Sequence, residues 1–496
     1  MERKQALEGV KSSLSKIWNF AAYEKSVLQK KSYIWLILAF AAITRLYGLG
    51  SLGVNKSELV NIDRIFSVPD LGSLYRGDLS TSLYYILQYL WGRIIGFSVI
   101  NMRAFSILLS LVGLYFFFLF VREWFSKRSA YISTFLLSIS GFYILASRAI
   151  SHEVLYMAVI FPALYLLTLA YRRRKMLYFI SSGLLLGALF YTTEISFVLF
   201  LVFVISIVYF YLQNKKFLTG YIKETAILAG TALSVSIPFM IWFVQKPRAF
   251  LSYFSISPYN LVENGRNLMS SIVFSSPVQL MFNVGQEKIF DPYVEVTFLL
   301  GLIYVVLKYK RRKFYFLASW FALLFLVVIM IKSFSVANFI YLVPMIFIFS
   351  AVIQSYVLKK WFKTFPFNKF ARLTMALGIG FFFALSLSYN YKKVFLAWGK
   401  NPNRVLAYNE KVSKVNFKNE EIYVYKSSLS GVEVQALLKN GGKNNITDLK
   451  SLSQVKNKGS VNILTSPNNV FAVKSILASK KTSIIEGQSI ILVRGE

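Results

Sequence analysis

The sequence predicts a polytopic α-helical membrane protein with a small C-terminal α/β domain. Three observations support this fold class: the composition, the length of the apolar runs, and a change of character near residue 392. Hydrophobic residues make up 56% of the 496 residues and charged residues only 16%, whereas soluble domains have about 45–50% and about 25%. The chain is therefore too apolar for a soluble globular protein, and lipid is expected to surround most of it.

Apolar runs of membrane-spanning length recur through the first four fifths of the chain. A helix needs about 20 residues to cross roughly 30 Å of hydrocarbon. Runs of this kind lie at 33–49, 104–121, 130–146, 154–171, 176–191, 195–212, 225–244, 290–307, 314–331, 335–358 and 373–389. One further stretch, 82–100, contains Gln88 and Arg93 and is rich in Tyr and Trp, which favour the membrane interface. We predict that it does not cross, which leaves about eleven spans plus interfacial helices.

The basic residues between the runs predict the orientation of the chain. With 82–100 in the interface, every strongly basic connection falls on the same side as the basic N-terminus; these connections are 122–128, 172–175, 215–216, 308–313 and 359–363. The positive-inside rule places that side in the cytoplasm of a multi-pass plasma-membrane protein. The outer loops at 50–103 and 245–289 are then extracytoplasmic.

The chain divides into three predicted regions. Residues 1–32 are polar and basic without the apolar core of a signal peptide, so we expect a cytoplasmic tail. Residues 33–391 form the transmembrane domain. In residues 392–496, short apolar runs such as 422–425 and 461–464 alternate with helix-like segments, which predicts a small soluble α/β domain on the extracytoplasmic side.

Charge and residue usage exclude several kinds of site. The net charge of +34 is distributed in short clusters between apolar runs and not along one stripe, so nucleic acid is not expected as a partner. The absence of cysteine rules out disulfides and thiolate metal ligands. A single histidine, His152, rules out a multi-histidine metal site.

Glu58 is the first of two candidate carboxylates on the predicted outer side. It lies in Asn55-Lys56-Ser57-Glu58, just past the first span. A carboxylate here could act as a general base on an incoming nucleophile. The alternative is a solvated loop residue paired with Lys56 or Arg64.

Glu153 is the second candidate. It follows His152 directly and stands five residues after Arg148. A histidine beside a glutamate could bind a divalent metal or position a phosphate. The alternative is a simple ion pair between Glu153 and Arg148 at a helix end.

Basic residues in the outer loops could bind an anionic lipid headgroup, because guanidinium groups contact phosphate through two hydrogen bonds. Arg76, Arg248 and Arg266 lie there among aromatic residues. Ordinary anchoring at the membrane interface is the alternative for each of them.

The order of these features resembles the C-type glycosyltransferases, especially the polyprenyl-phosphate-sugar-dependent group that contains protein O-mannosyltransferases and the bacterial aminoarabinose transferase. The resemblance covers roughly residues 33–310. The matching positions are Ser57-Glu58, Leu83-Tyr84-Tyr85 with Trp91 and Gly96, Arg103, Ser147-Arg148 ahead of Glu153, and Asn283 to Pro292 with Gly301. Where the family usually has Asp-Glu, His-Pro-Pro and Asp, this chain has Ser57-Glu58, Ser80-Thr81-Ser82 and Glu153.

This resemblance implies an inverting transfer of a hexosyl or pentosyl group from a polyprenyl-phosphate donor to an extracytoplasmic lipid, glycan or protein acceptor. Phosphate leaves without a proton, so one base can suffice, unlike the two carboxylates of glycoside hydrolysis. Glu58 is then expected to be catalytic, and Glu153 with His152 to position the acceptor or a divalent metal ion. No other cofactor is expected. The expected donor-phosphate ligands are Arg76, Arg148, Arg248 and Arg266.

Two other functions fit the same layout. One is a transporter or polymerase of lipid-linked oligosaccharides, although no internal repeat is evident. The other is a non-catalytic relative of the family, which Ser57 would permit. Consumption of a polyprenyl-phosphate sugar separates the enzyme from both.

Overall fold

The protein is described from a computed structural model. It covers residues 32–69, 78–193, 195, 222–248, 252–254, 257–283, 288–332, 335–413, 421–425, 446–449, 452–455, 461–465, 469–477, 482–486 and 491–495. The predicted tail up to residue 31 and nearly all of the predicted span at 195–212 lie outside these ranges.

The membrane part is a bundle of α-helices joined mostly by short turns. They are α1 Ser32–Leu46, α2 Lys56–Phe66, α3 Ser82–Ile95, α4 Val99–Trp124, α5 Lys127–Ile139, α6 Gly141–Arg148, α7 Glu153–Arg173, α8 Met176–Ala188, α9 Ile222–Gln245, α10 Pro258–Val273, α11 Pro292–Leu307, α12 Arg312–Met330, α13 Phe339–Thr364 and α14 Lys369–Tyr391. A π-helical segment, Lys392–Trp398, and the short helices α15 Pro402–Ala407 and α16 Glu410–Ser413 follow.

Seven helices among the described residues are long and apolar enough to cross a membrane. The pair α5 and α6 makes an eighth if the two, bent by 61° at their junction, form one span. Helices α8 and α11 are apolar but shorter. The predicted class of a polytopic helical membrane protein is confirmed, whereas the number of eleven spans stays a prediction.

Helix α3 is too short to cross a bilayer upright. It has 14 residues, which at a rise of 1.5 Å gives about 21 Å, less than the roughly 30 Å of hydrocarbon. It ends at Gly96, whose φ of 104° is unfavourable for residues with a Cβ atom. These bounds agree with the interfacial position predicted for 82–100.

Helix α13 lies at the centre of the bundle, with 89% of its most apolar window buried. It packs against α5 and α11, and α4 packs against α7. Helix α14 is the opposite case, because only 6% of its apolar window is buried. An apolar helix of this kind needs lipid on its outer face.

The break between α5 and α6 is held by a helix far along the chain. Gly141 N, freed by the break, donates to Asn390 Oδ1 at 2.7 Å. Asn390 Nδ2 donates to Asp291 Oδ2 at 3.1 Å, and Asp291 Oδ1 caps α11 by accepting from Val294 N at 3.0 Å. Buried backbone groups need such partners, so this network fixes three helices around the bend.

The C-terminal region contains a five-stranded mixed sheet. Its strands are β1 Ile422–Tyr425, β2 Ile446–Leu449, β3 Val461–Thr465, β4 Thr482–Glu486 and β5 Ile491–Gly495, in the order β2-β1-β3-β5-β4. Strand β1 is parallel to β2 and β3, while β5 is antiparallel to β3 and β4. Helix α17, Val470–Ile476, contributes Val473 to the buried side chains of these strands. A small C-terminal α/β fold is therefore confirmed, and its boundary at residue 392 stays a prediction.

Candidate active site

The start of α2 is fixed by a reciprocal cap between Asn55 and Glu58. Asn55 Oδ1 accepts from Glu58 N at 2.8 Å, and Glu58 Oε2 accepts from Asn55 N at 3.3 Å. Such a capping box satisfies two backbone donors at a helix N-terminus. Asn55 and Glu58, which are three residues apart, thus determine where α2 begins.

The Glu58 carboxylate is also the centre of a buried ion pair. Arg103 Nε donates to Oε1 at 2.9 Å and Arg103 Nη2 to Oε2 at 2.7 Å, while Ile150 N donates to Oε1 at 3.1 Å. The two side chains are 0% and 1% exposed. This geometry does not fit the predicted role of Glu58 as general base. Its oxygens are fully engaged, and withdrawing them would leave Arg103 buried without its partner.

Arg103 also hydrogen-bonds to the backbone of the segment that precedes α2. Its Nη1 donates to Leu52 O at 3.2 Å and its Nη2 to Gly53 O at 2.5 Å. On the other side, Asn409 Nδ2 donates to Val54 O at 2.9 Å. Any Cβ atom at position 53 would overlap the carbonyl oxygen of Tyr408. The segment 52–55 is therefore held between α4 and the chain after α15.

Glu153 has a more open position at the N-terminus of α7. Its side chain is 18% exposed and that of His152 is 17% exposed. Ser151 Oγ donates to Glu153 Oε2, and His152 Nδ1 lies 3.8 Å from the same oxygen. The predicted alternative, an ion pair with Arg148, is not formed, because the Arg148 guanidinium lies over the Phe395 ring, 5.6 Å from its centroid.

Helices α2 and α3 meet the Glu153 turn through Tyr85. Its hydroxyl donates to Asn61 Oδ1 at 2.9 Å and accepts from Arg64 Nη1 at 3.3 Å. The ring centroids of Tyr85 and His152 are 6.3 Å apart. Burial raises the pKa of Tyr85 to about 12, so this hydroxyl stays protonated at neutral pH and serves as a hydrogen-bond donor.

Two side chains of helix α2 hydrogen-bond to the backbone of Ile150, in the turn before Glu153. Glu58 accepts from the Ile150 amide, and Asn61 Nδ2 donates to the Ile150 carbonyl at 2.7 Å. Glu58 and Asn61 are three residues apart on one helix, so they lie on the same face. The position of Glu153 therefore depends on Glu58, although the two side chains have different environments.

Arg64 is the site residue that the sequence did not single out. The sequence predicts Arg64 only as an alternative partner of Glu58, yet Arg64 donates to the Tyr85 hydroxyl, which in turn donates to Asn61. Its spacing of three from Asn61 was the available signal, because it places both side chains on the face of α2 that meets α3.

The predicted donor-phosphate residues do not gather at Glu153 within the described ranges. Arg76 lies outside the described residues. Arg148 is 5% exposed and therefore closed to a ligand as it stands. Arg248 and Arg266 are exposed, but no hydrogen bond or ion pair described here joins either to the Glu153 turn. Their role as phosphate ligands stays a prediction.

The described residues do not provide a complete set of ligands for the predicted divalent metal ion. In the part of the chain that the structure describes, no three His, Asp or Glu side chains come together to hold an ion. Glu153 and His152 supply two ligands, fewer than the three that catalytic zinc sites provide, and one Glu153 oxygen already accepts from Ser151. Metal binding stays a prediction.

A family model described as dolichyl-phosphate-mannose-protein mannosyltransferase matches residues 82–242. The match begins with α3 and includes Arg103, Arg148 and Glu153, but it covers less than half of the chain. No curated protein matches the sequence.

The crystal structure of ArnT from Cupriavidus metallidurans bound to undecaprenyl phosphate is similar over nearly its whole length. The TM-score is 0.56 at 12% identity, with 94% of this chain and 98% of that one covered. This chain has the fold of the C-type glycosyltransferases. The apo structure of the same ArnT gives a TM-score of 0.51 at 11% identity, covering 93% of this chain and 98% of that one.

The fold and the family model agree with the class that the sequence predicted. That class is a membrane glycosyltransferase dependent on a lipid phosphate, and it is confirmed. The membrane location is confirmed as well, through the apolar helices.

Proposed function

We propose that this protein transfers a hexosyl or pentosyl group from a polyprenyl-phosphate donor to a hydroxyl acceptor on the extracytoplasmic side, with Glu153 as the base. The contrast between two carboxylates carries this assignment. Glu58 is buried with both oxygens engaged, whereas Glu153 is 18% exposed beside α2 and α3. A base must reach the proton that it takes, and of these two only Glu153 is open.

The transfer needs one proton acceptor and a leaving group. Glu153 takes the proton of the acceptor hydroxyl while the hydroxyl oxygen bonds to the anomeric carbon of the sugar. The bond between that carbon and the phosphate oxygen breaks, and its electron pair leaves with polyprenyl phosphate. Attack from the side opposite to the leaving group inverts the anomeric configuration. His152 Nδ1 lies 3.8 Å from the Glu153 carboxylate, and in this proposal a small side-chain movement would bring the two into hydrogen-bond contact.

Arg64 is the described cation best placed to bind the donor phosphate. It reaches Tyr85 at 3.3 Å, and its side chain is on the exposed side of α2. A guanidinium can hold two phosphate oxygens in one plane. The ArnT structure with undecaprenyl phosphate supports a lipid phosphate as the ligand of this fold.

Glu58 acts in this proposal as a positioning residue. It fixes the Ile150 amide and, through Arg103, the segment before α2. Its loss would move the turn that carries Glu153 without removing the group that takes the proton.

Release of polyprenyl phosphate by the purified full-length protein tests the proposal. A panel of radiolabelled hexosyl and pentosyl polyprenyl phosphates is offered with membrane lipid extract as the source of acceptors. The wild type should consume at least one donor and release the lipid phosphate. If no donor of the panel is consumed, the chain is a transporter or a non-catalytic relative, and the proposal fails.

The Arg64→Gln variant tests the phosphate ligand. Loss of a hydrogen bond to a charged group corresponds to about 1.5–3 kcal/mol, or roughly 10- to 150-fold weaker donor binding. Arg93→Gln is the matched control, because Arg93 is an exposed arginine on α3 that contacts Tyr89 instead. Equal donor affinity in both variants would contradict the role of Arg64.

A further inference from the structure

A second polar site lies at the end of the bundle opposite to Glu58. Helix α4 carries Arg103, which binds Glu58, near its start, and Phe125 follows its end. The 22 residues between them correspond to about 33 Å along the helix axis. At the Phe125 end, a cavity of about 440 Å³ opens between α5, α12 and α13.

Six basic residues line this cavity, and we call it the basic pocket. They are Lys308, Arg311, Lys313, Lys359, Lys360 and Lys363. Lys308 and Arg311 come from the turn between α11 and α12, Lys313 from the first turn of α12, and the other three from the end of α13. Among the described residues, no carboxylate lines the pocket, and none forms an ion pair with any of the six. On the same side of the bundle, Arg172 does pair with Glu123.

Hydroxyl groups and helix starts add to the attraction for an anion. Ser126 Oγ lies 2.8 Å from Ser129 Oγ and 3.2 Å from Ser355 Oγ, and all three residues line the pocket. Helices α5 and α12 both begin at this cavity, and α12 has no side-chain cap at its start. Helix N-termini carry partial positive charge and bind phosphate groups.

Aromatic side chains form another part of the pocket wall. Phe125, Tyr304, Phe314 and Tyr356 line it, with the Tyr304 and Tyr356 ring centroids 4.7 Å apart. Lys313 Nζ lies 5.3 Å from the centroid of Phe314. Aromatic residues at the ends of apolar helices mark the level of the lipid headgroups. A basic pocket at that level, between helix ends, suits a phospholipid whose acyl chains run beside the helices.

We propose that the basic pocket binds the phosphate headgroup of an anionic phospholipid in the leaflet opposite to Glu153. The volume lies in the range of roughly 300–1,000 Å³ that is usual for ligand sites. The positive charge has no described counter-ion from the protein, so the lipid phosphate supplies it. The basic turns make this the cytoplasmic leaflet under the positive-inside rule. The site is separate from the proposed transfer chemistry and does not depend on it.

Lipid retention by the purified full-length protein tests this site. Native mass spectrometry compares phosphatidylglycerol with phosphatidylcholine of the same acyl chains. The pocket variant is Lys308→Gln with Lys359→Gln, and the matched control is Arg173→Gln with Lys175→Gln. Both pairs remove two exposed charges on the same side of the bundle, so thermal unfolding should be alike.

The wild type and the control should retain phosphatidylglycerol in preference to phosphatidylcholine. Two lost basic contacts should weaken phosphatidylglycerol binding by the pocket variant roughly 30-fold. Equal retention by the pocket variant and the control would overturn the proposal. A competition arm adds inorganic pyrophosphate: the lipid should stay bound, and displacement would assign the pocket to a soluble phosphate compound instead.

Discussion

The Glu58 carboxylate and the Arg103 guanidinium form an ion pair that solvent does not reach. Two hydrogen bonds join them, and backbone amides of Asn55 and Ile150 fill the remaining acceptor positions. Glu153 has the same functional group but shares its carboxylate with a serine at a partly open turn. Residue type alone does not separate the two acids; their hydrogen-bond partners do.

Removing one partner of the buried pair should destabilise the protein strongly. Glu58→Gln leaves Arg103 buried and uncompensated, and Arg103→Met does the same to Glu58, each by about 3–5 kcal/mol. The double variant should be less unstable than the sum of the two, because it leaves no unpaired charge. Thermal unfolding in detergent measures this, with Asp63→Asn, an exposed change on α2, expected within about 0.5 kcal/mol of the wild type. Single variants as stable as that control would show that the pair is not formed.

The sequence could predict part of this residue-scale picture. The Asn55-to-Glu58 spacing is a recognisable capping box, and Arg103 was a matching position of the family resemblance. The sequence could not show that Arg103 binds Glu58 from 45 residues away. Helix α3 packs against both α2 and α4, and the contact between Arg103 and Glu58 is the reason that the proposed function treats Glu58 as a positioning residue.

At the scale of the helices, one glycine allows two backbones to approach closely and another has no such neighbour. Gly301 on α11 faces the Phe349 carbonyl of α13, and any Cβ atom at Gly301 would overlap it. Gly378 on the outward-facing α14 has nothing within 4 Å of the same position. Both glycines are inside helices, so they differ in packing and not in backbone conformation.

This difference predicts opposite effects of one substitution. Gly301→Ala should destabilise the protein by about 1–3 kcal/mol through overpacking. Gly378→Ala should stabilise it by about 0.5–1 kcal/mol, because alanine restricts the unfolded chain more than glycine. Thermal unfolding of the two purified variants gives the comparison. A shift in the same direction for both would contradict the α11–α13 contact.

The apolar runs predict most helices of the bundle, but they do not predict the bend between α5 and α6. The largely apolar run 130–146 predicts one span, whereas the helix breaks before Gly141. The break persists because Asn390, 249 residues away, accepts from the Gly141 amide. Local periodicity carries no information about such a partner.

At the scale of the whole molecule, a segment that follows the last long helix contacts the segment that precedes α2. Asn409, after the last long helix, donates to the Val54 carbonyl, and Arg404 pairs with Glu410 in the same segment. The chain that leads to the C-terminal sheet therefore supports the segment in front of α2. Composition predicted the membrane fold and the polar C-terminal region, because both are properties of the bulk sequence. This contact between distant segments depends on tertiary packing, which composition does not encode.

The central claim is that Glu153 takes the proton while Glu58 holds the site in place, and the single-turnover rate of the Glu153→Gln variant tests it most directly. With the donor that the wild type consumes, release of polyprenyl phosphate should fall by about 10²- to 10⁴-fold. Donor binding and thermal stability should remain close to the wild type, and Asp63→Asn should retain the wild-type rate. A Glu153→Gln variant that releases polyprenyl phosphate at the wild-type rate would contradict the claim.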